Sequence, residues 1–204
     1  PQEGRKSTSG NDLYQDDKGV SVAPSCPPVG MKIIQEDITT FIGDAIVNAA
    51  NSQLTHGGGV DGAIREQAGD ELNKTLARTG YLAEGTCLIT FPFNLPCGAI
   101  IHTVAPVYHS QSIYEVFLKT CYTSCLDTAW KMGCRSIAFP LLGTGAFGWP
   151  LKRGAEIAIR ALTRFEQDNS LDITLYAYTK EAYREANLAL EVNASGNEVK
   201  SRKH

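Results

Sequence analysis

Asn48-Ala-Ala-Asn51-Ser-Gln-Leu-Thr-His-Gly57-Gly58-Gly59-Val60-Asp61-Gly62-Ala-Ile runs from a short apolar segment, through a polar loop, into an amphipathic stretch. Three consecutive glycines strip the side chains from the turn. Bare N–H groups can then approach an anion where a helix begins, and the partial positive charge of a helix N-terminus favours one there. A glycine-rich surface loop is the plainer alternative. Open α/β folds, however, place ligands at strand-to-helix junctions on the carboxyl edge of the sheet, and this junction has that form.

Reading outward, short apolar runs alternate with longer amphipathic ones. Strands are expected near Met31–Gln35, Ala45–Asn48, Cys87–Phe91, Ala99–Val104, Ser136–Leu141 and Asp172–Tyr178. Helices are expected over Val60–Arg78, Ser112–Met132, Leu151–Asp168 and Thr179–Leu190, with Pro150 before the third and Gly133 after the second as start and stop signals. The pattern predicts an α/β fold, a sheet covered by helices on both faces. Residues 1–28 are polar and end in Pro24-Ser-Cys-Pro27-Pro28, which reads as a tail or linker, and residues 193–204 read as a polar tail that frays. One domain over residues 29–192 remains.

A second glycine loop follows another strand: Phe139-Pro-Leu-Leu-Gly143-Thr144-Gly145-Ala146-Phe147-Gly148-Trp149-Pro150. Gly143, Gly145 and Gly148 satisfy the GxGxxG pattern of dinucleotide-binding proteins. That reading also asks for an acidic residue closing the next strand. Glu166 and Asp168 fall before that strand, on the expected helix, which demotes an NAD-dependent oxidoreductase. Two such loops on different strands fit better as opposite jaws on one diphosphate, each neutralising charge with backbone donors.

The net charge of −3 provides no global positive field for gripping a nucleic-acid backbone. No apolar run reaches the length of a membrane span. The six cysteines, Cys26, Cys87, Cys97, Cys121, Cys125 and Cys134, contain no CxxC and lie in a chain long enough to need no staples. They read as reduced thiols of an intracellular, cytoplasmic protein. Cys121 and Cys125 stand one helical turn apart, but without neighbouring histidines they imply no metal site.

Four segments, in order, resemble one known family. Ile46-Val-Asn-Ala-Ala-Asn51, the Gly57–Gly59 run with Val60-Asp61-Gly62, Ile101-His102-Thr-Val-Ala-Pro106 and Ala138-Phe-Pro-Leu-Leu-Gly-Thr-Gly-Ala-Phe-Gly148 look like a macrodomain. The similarity spans about Met31 to Glu191 and lies nearest the MacroD-type branch. It implies a three-layer α/β/α fold with a mixed sheet and an ADP-ribose cleft, with no cofactor.

Residue by residue, the resemblance assigns Asp37 to the adenine amine, with the Ile38 N–H beside it; a turn-capping aspartate is the plainer reading. Tyr178 matches an aromatic that flanks adenine, against a half-buried strand tyrosine. Asn51 matches the asparagine on the distal ribose. Phe147 would pack on that ribose, and Gly58, Gly59, Val60, Gly143, Thr144, Gly145 and Ala146 would cradle the phosphates. Asp61, with Asn51, matches the catalytic position at which a carboxylate orients or activates water against the bond to a modified acidic side chain; a helix-dipole aspartate is its alternative.

His102 reads as a satisfied core histidine, His56 equally as a ligand contact or an exposed loop residue, and Arg65 and Glu66 as solvated. Two departures stand out. The family usually has glycine where Glu36 stands, and Val107-Tyr108-His109-Ser110 replaces a Trp-Gly-Gly-rich substrate loop. The implied partners are ADP-ribose and mono-ADP-ribosylated proteins, the implied activity removal of mono-ADP-ribose from acidic side chains. Hydrolysis of O-acetyl-ADP-ribose or ADP-ribose 1″-phosphate, or a reader module without turnover, are the alternatives.

Overall fold

The computed structural model describes residues 30–201; the expected N-terminal tail lies outside the described residues. Six strands appear where the sequence places them: β1 Lys32–Ile34, β2 Gly43–Ala49, β3 Cys87–Thr90, β4 Cys97–Thr103, β5 Ser136–Pro140 and β6 Asp172–Tyr176. They form one sheet in the order β1-β6-β5-β2-β4-β3. All neighbours are parallel except the β3–β4 pair at one edge, which makes the sheet mixed.

The central strands are apolar on both faces and distribute alternate residues to two cores, as a period of two requires. Ala45, Val47, Ile101, Ile137 and Phe139 face α3 (Ser112–Lys131), α4 (Leu151–Asp168) and α5 (Lys180–Ser201). Ile46, Ile100 and Ala138 face α1 (Gly59–Ala68) and α2 (Asp70–Thr79). The result is the expected three-layer α/β/α arrangement around a mixed sheet.

Two expectations need correction. The helix expected over Val60–Arg78 is two helices, because Gly69 adopts φ +90°, a left-handed geometry foreign to residues with a Cβ, and closes α1 through its N–H to Arg65 O at 3.0 Å. The segment after Asp37 is a short 3-10 turn, Ile38–Thr40, which Asp37 caps in keeping with the plainer of its two readings. Finally, α5 does not stop near Leu190 but continues to Ser201. Asn193 Nδ2 donates to Thr163 Oγ1 of α4 at 3.1 Å and extends the packed part of that helix.

Candidate functional site

The β2 chain passes to α1 on one face of the sheet, whereas the adjacent parallel strand β5 passes to α4 on the other. Two neighbouring strands whose connections splay to opposite faces open a crevice at their carboxyl ends, the topological switch point where open α/β sheets bind ligands. Both glycine loops leave from this point. The β1 and β6 ends follow along the same edge, so Asp37, Tyr178, the Gly143–Gly148 loop and the Asn51–Val60 loop occupy four successive strand ends, over about 14 Å by ordinary strand spacing.

Asp37 fulfils the capping role weighed from sequence: its Oδ1 accepts from Thr39 N and Thr39 Oγ1, both at 2.9 Å. Ile38 is buried, whereas Tyr178 is 73% exposed and lies two residues past the end of β6. In the second loop Gly143 has φ +79°, and a Cβ there would lie 2.6 Å from Trp149 Cδ1. The fold itself therefore demands that glycine. Gly145 is different, being exposed, outside the left-handed region and with nothing within 4 Å of where a Cβ would stand. Among the described residues no protein acceptor takes the N–H groups of Thr144, Gly145, Ala146 or Phe147.

The loop is braced from the β4 side. Tyr108 N donates to Phe147 O at 2.8 Å, and Trp149 Nε1 donates to Pro106 O at 2.8 Å. Phe147 is half-buried against the α3–α4 core rather than fully presented to the crevice. Gly58 resembles Gly145: exposed, with φ −102° and open space where a Cβ would stand. Val60 is half-buried against the α1–α2 core. A cavity of about 660 Å³ beside the first loop is lined by His56–Gly59, Asp70 and Asn73 but by none of Gly143–Gly148. The association of the two loops thus rests on the switch-point topology, not on that cavity.

Asn51 turns back on its own loop. Its Nδ2 donates to Thr55 O at 2.8 Å, and its Oδ1 accepts from Thr55 N and Oγ1 at 3.2 Å, leaving the second Nδ2 hydrogen without an acceptor among the described residues. Asp61 is only 3% exposed. Its Oδ1 accepts from Asn48 Nδ2 at 2.7 Å, and its Oδ2 accepts from Gly57 N and Arg65 Nε, both at 2.7 Å. A carboxylate so engaged acts first on the shape of the glycine loop.

Arg65, expected to be solvated, is instead 2% exposed. Besides Asp61 it donates from Nη2 to Leu54 O and from Nη1 to Asn73 Oδ1, both at 2.9 Å. Leu54 has φ +52°, an uncommon conformation for a residue with a Cβ, and the Arg65 bond helps hold it there. Residues 61, 64, 65 and 68 share the spacing of a buried helix face, so the sequence did contain a signal that Arg65 points inward. Glu66 is exposed, as expected, and His56 is exposed too.

His102 is the core histidine that the sequence suggests. Asn48 Nδ2 lies 3.0 Å from its Nδ1 and Thr90 Oγ1 2.9 Å from its Nε2. Because Asp61 only accepts, the Asn48 NH₂ must face it and also donates to Nδ1; the imidazole proton is therefore assigned to Nε2 and donated to Thr90. This leaves Asn48 Oδ1 buried without a partner among the described residues.

Burial pushes the imidazole down from 6.5 to about 4, against the opposing pull of the Asp61 carboxylate. The unfolded chain takes up a proton below pH 6.5 that folded His102 refuses until about pH 4. Stability from this residue is thus complete above 6.5 and falls with pH through that window, by about 3 kcal/mol at its lower end. Urea titrations at pH 7 and pH 4.5 test this. The decline should be shallower in His102→Gln, and an equal decline in both proteins would assign it to other groups.

The Macro domain family matches residues 47–158. Among relatives, the O-acetyl-ADP-ribose deacetylase of Klebsiella pneumoniae is 44% identical over 139 residues, covering 66% of this chain and 79% of that protein. A Macro domain-containing protein of Methanosarcina mazei is 38% identical over 163 residues, covering 78% of this chain and 87% of that one. The Oceanobacillus iheyensis macrodomain with ADP superposes with a TM-score of 0.78 at 33% identity, covering 81% and 92% of the two chains. The Trypanosoma brucei macrodomain in complex with ADP-ribose superposes with a TM-score of 0.72 at 33% identity, covering 78% of this chain and 72% of that one. By its sequence, and with a fold to match, this chain belongs to the Macro domain family.

Proposed function

We propose that the chain binds ADP-ribose along the carboxyl edge of the sheet and hydrolyses mono-ADP-ribose from the acidic side chains of modified proteins. The observation that carries the binding half is the character of Gly58 and Gly145: neither has a crowded or left-handed site, so the fold does not require glycine at either place. A ligand lying against the backbone does. In this reading Gly58, Gly59 and Val60 face one side of the diphosphate, and Gly143, Thr144, Gly145 and Ala146 the other. Asp37, the Ile38 N–H and Tyr178 take adenine, while Asn51 and Phe147 take the distal ribose.

The bond to be broken is an ester between that ribose and an acyl group. Water adds, leaving free ADP-ribose and a carboxylic acid. The second Nδ2 hydrogen of Asn51 binds a ribose hydroxyl or the attacking water. Asp61 contributes by holding Gly57 N, and with it the loop that orients both. Metal coordination has no part in the scheme.

The test is incubation with a protein carrying mono-ADP-ribose on glutamate, followed by mass spectrometry of acceptor and released product. Release of ADP-ribose with regeneration of unmodified glutamate is expected; tight binding of free ADP-ribose without release would make the chain a reader. Hydrolysis of O-acetyl-ADP-ribose is favoured as a second reading by the relatives of that name at 44% and 42% identity. Both substrates are ribose esters, so relative kcat/KM decides between them.

For Asp37→Ala, loss of the cap is expected to cost about 1 kcal/mol of stability. ADP-ribose should bind more weakly, whereas ribose 5-phosphate should bind as before. Calorimetry with both ligands checks this; equal losses would contradict the adenine assignment.

A further inference from the structure

Cys87 and Cys125 stand 38 residues apart in sequence, yet their Sγ atoms lie 3.5 Å from each other. Cys87 is on the antiparallel edge strand β3 and half-buried; Cys125 is on α3 and fully buried. Among the described residues no other two sulfurs are in hydrogen-bond contact. Cys121, one turn away on α3, directs its thiol to Val104 O at 3.3 Å and Phe117 O at 3.2 Å, and Cys97 to Ala99 O at 3.5 Å. We propose that Cys87 and Cys125 form a peroxide-oxidisable dithiol site in which Cys87 is the attacking sulfur and Cys125 the resolving one.

The environments divide the roles. The hydrogen bond from Cys125 pulls the Cys87 thiol below its ordinary value, against the opposing effect of burial. Burial pushes Cys125 well above it. The more readily ionised sulfur is therefore also the one nearer solvent, the condition for selective oxidation. In the first step the Cys87 thiolate attacks one peroxide oxygen. An S–O bond forms, the O–O bond breaks and the leaving hydroxide takes a proton to become water. In the second, the sulfur of Cys125, losing its proton, attacks Cys87; the S–S bond forms, the S–O bond breaks and a second water leaves. Two thiols and one peroxide thus give one disulfide and two waters, with two electrons passing from sulfur to peroxide.

Closing the sulfurs to a covalent S–S distance requires an approach of about 1.5 Å. An edge strand bonded on one side only, β3, can supply that movement. The product would tie β3 covalently to α3.

The experiment uses the full reduced chain, treated with a few equivalents of hydrogen peroxide, quenched by thiol alkylation and analysed by intact mass and peptide mapping. A loss of two hydrogen atoms and a crosslinked peptide pairing Cys87 with Cys125 are expected, both reversed by dithiothreitol. The crosslink should vanish in Cys87→Ser and persist in Cys97→Ser and Cys134→Ser. In Cys125→Ala, Cys87 should accumulate as a sulfenic acid trapped by dimedone, an adduct that wild type does not build up. A crosslink through Cys26 or Cys121 overturns the proposal, as does oxidation of Cys87 to sulfinic acid with Cys125 left reduced, or the absence of any thiol change. The wild-type peptide map alone is decisive if a variant does not fold.

Discussion

Replacing Arg65 by alanine is expected to lower the unfolding free energy by about 3–5 kcal/mol, the range for removing one partner of a buried ion pair. The side chains of Arg65 and Asp61 are 2% and 4% exposed, so the substitution leaves a carboxylate with little access to water. It also removes the donors to Leu54 O and Asn73 Oδ1, and with the first of these a restraint on a left-handed residue. Urea denaturation at neutral pH measures the loss. Combining Arg65→Met with Asp61→Leu should restore part of it, because no orphan charge remains, although Gly57 N and the Asn48 amide then lose an acceptor. A loss below about 1 kcal/mol for the single variant would show that water or a proton compensates Asp61, contrary to a dry clamp.

Gly145→Val is expected to leave stability within about 0.5 kcal/mol of wild type, as for an exposed position without strain. ADP-ribose affinity should nevertheless fall roughly ten- to hundredfold, which corresponds to losing about 1.5–3 kcal/mol of hydrogen bonding to a charged phosphate. The added methyls would occupy open space on the exposed side of the loop. Gly143→Ala is the contrasting control. With φ +79° and Trp149 Cδ1 at 2.6 Å from the new Cβ, it should destabilise the protein by about 1–3 kcal/mol. Calorimetry and thermal denaturation on both variants separate the effects. Unchanged affinity in Gly145→Val would mean that no ligand approaches that backbone.

Much of this architecture was legible because its signals are local. Strand positions followed from short apolar runs bounded by turns, α4 begins directly after Pro150, and α3 closes just before Gly133. The division of Val60–Arg78 was legible in part: Gly69 followed by Asp70 and Glu71 has the composition of a stop and a new acidic first turn, but periodicity on either side masked it. The two glycine loops were visible from their composition, although sequence did not separate Gly143, which the fold needs, from Gly145, which it does not.

What sequence obscured was pairing between distant residues. Arg65 reads as solvated because charge normally faces water, yet it belongs to the inward-facing 61–64–65–68 stripe. Asn48 showed no sign of linking His102 to Asp61, since β2 and β4 become neighbours only when the sheet assembles. The Cys87–Cys125 contact is hidden for the same reason.

Thr90, His102, Asn48, Asp61 and Arg65 form an unbroken side-chain chain from the sheet's edge strand to the first glycine loop. Where that chain grips the loop, at Leu54 and Gly57, conformational entropy is surrendered during folding, so on the proposed reading a visiting nucleotide meets a surface already set in shape there.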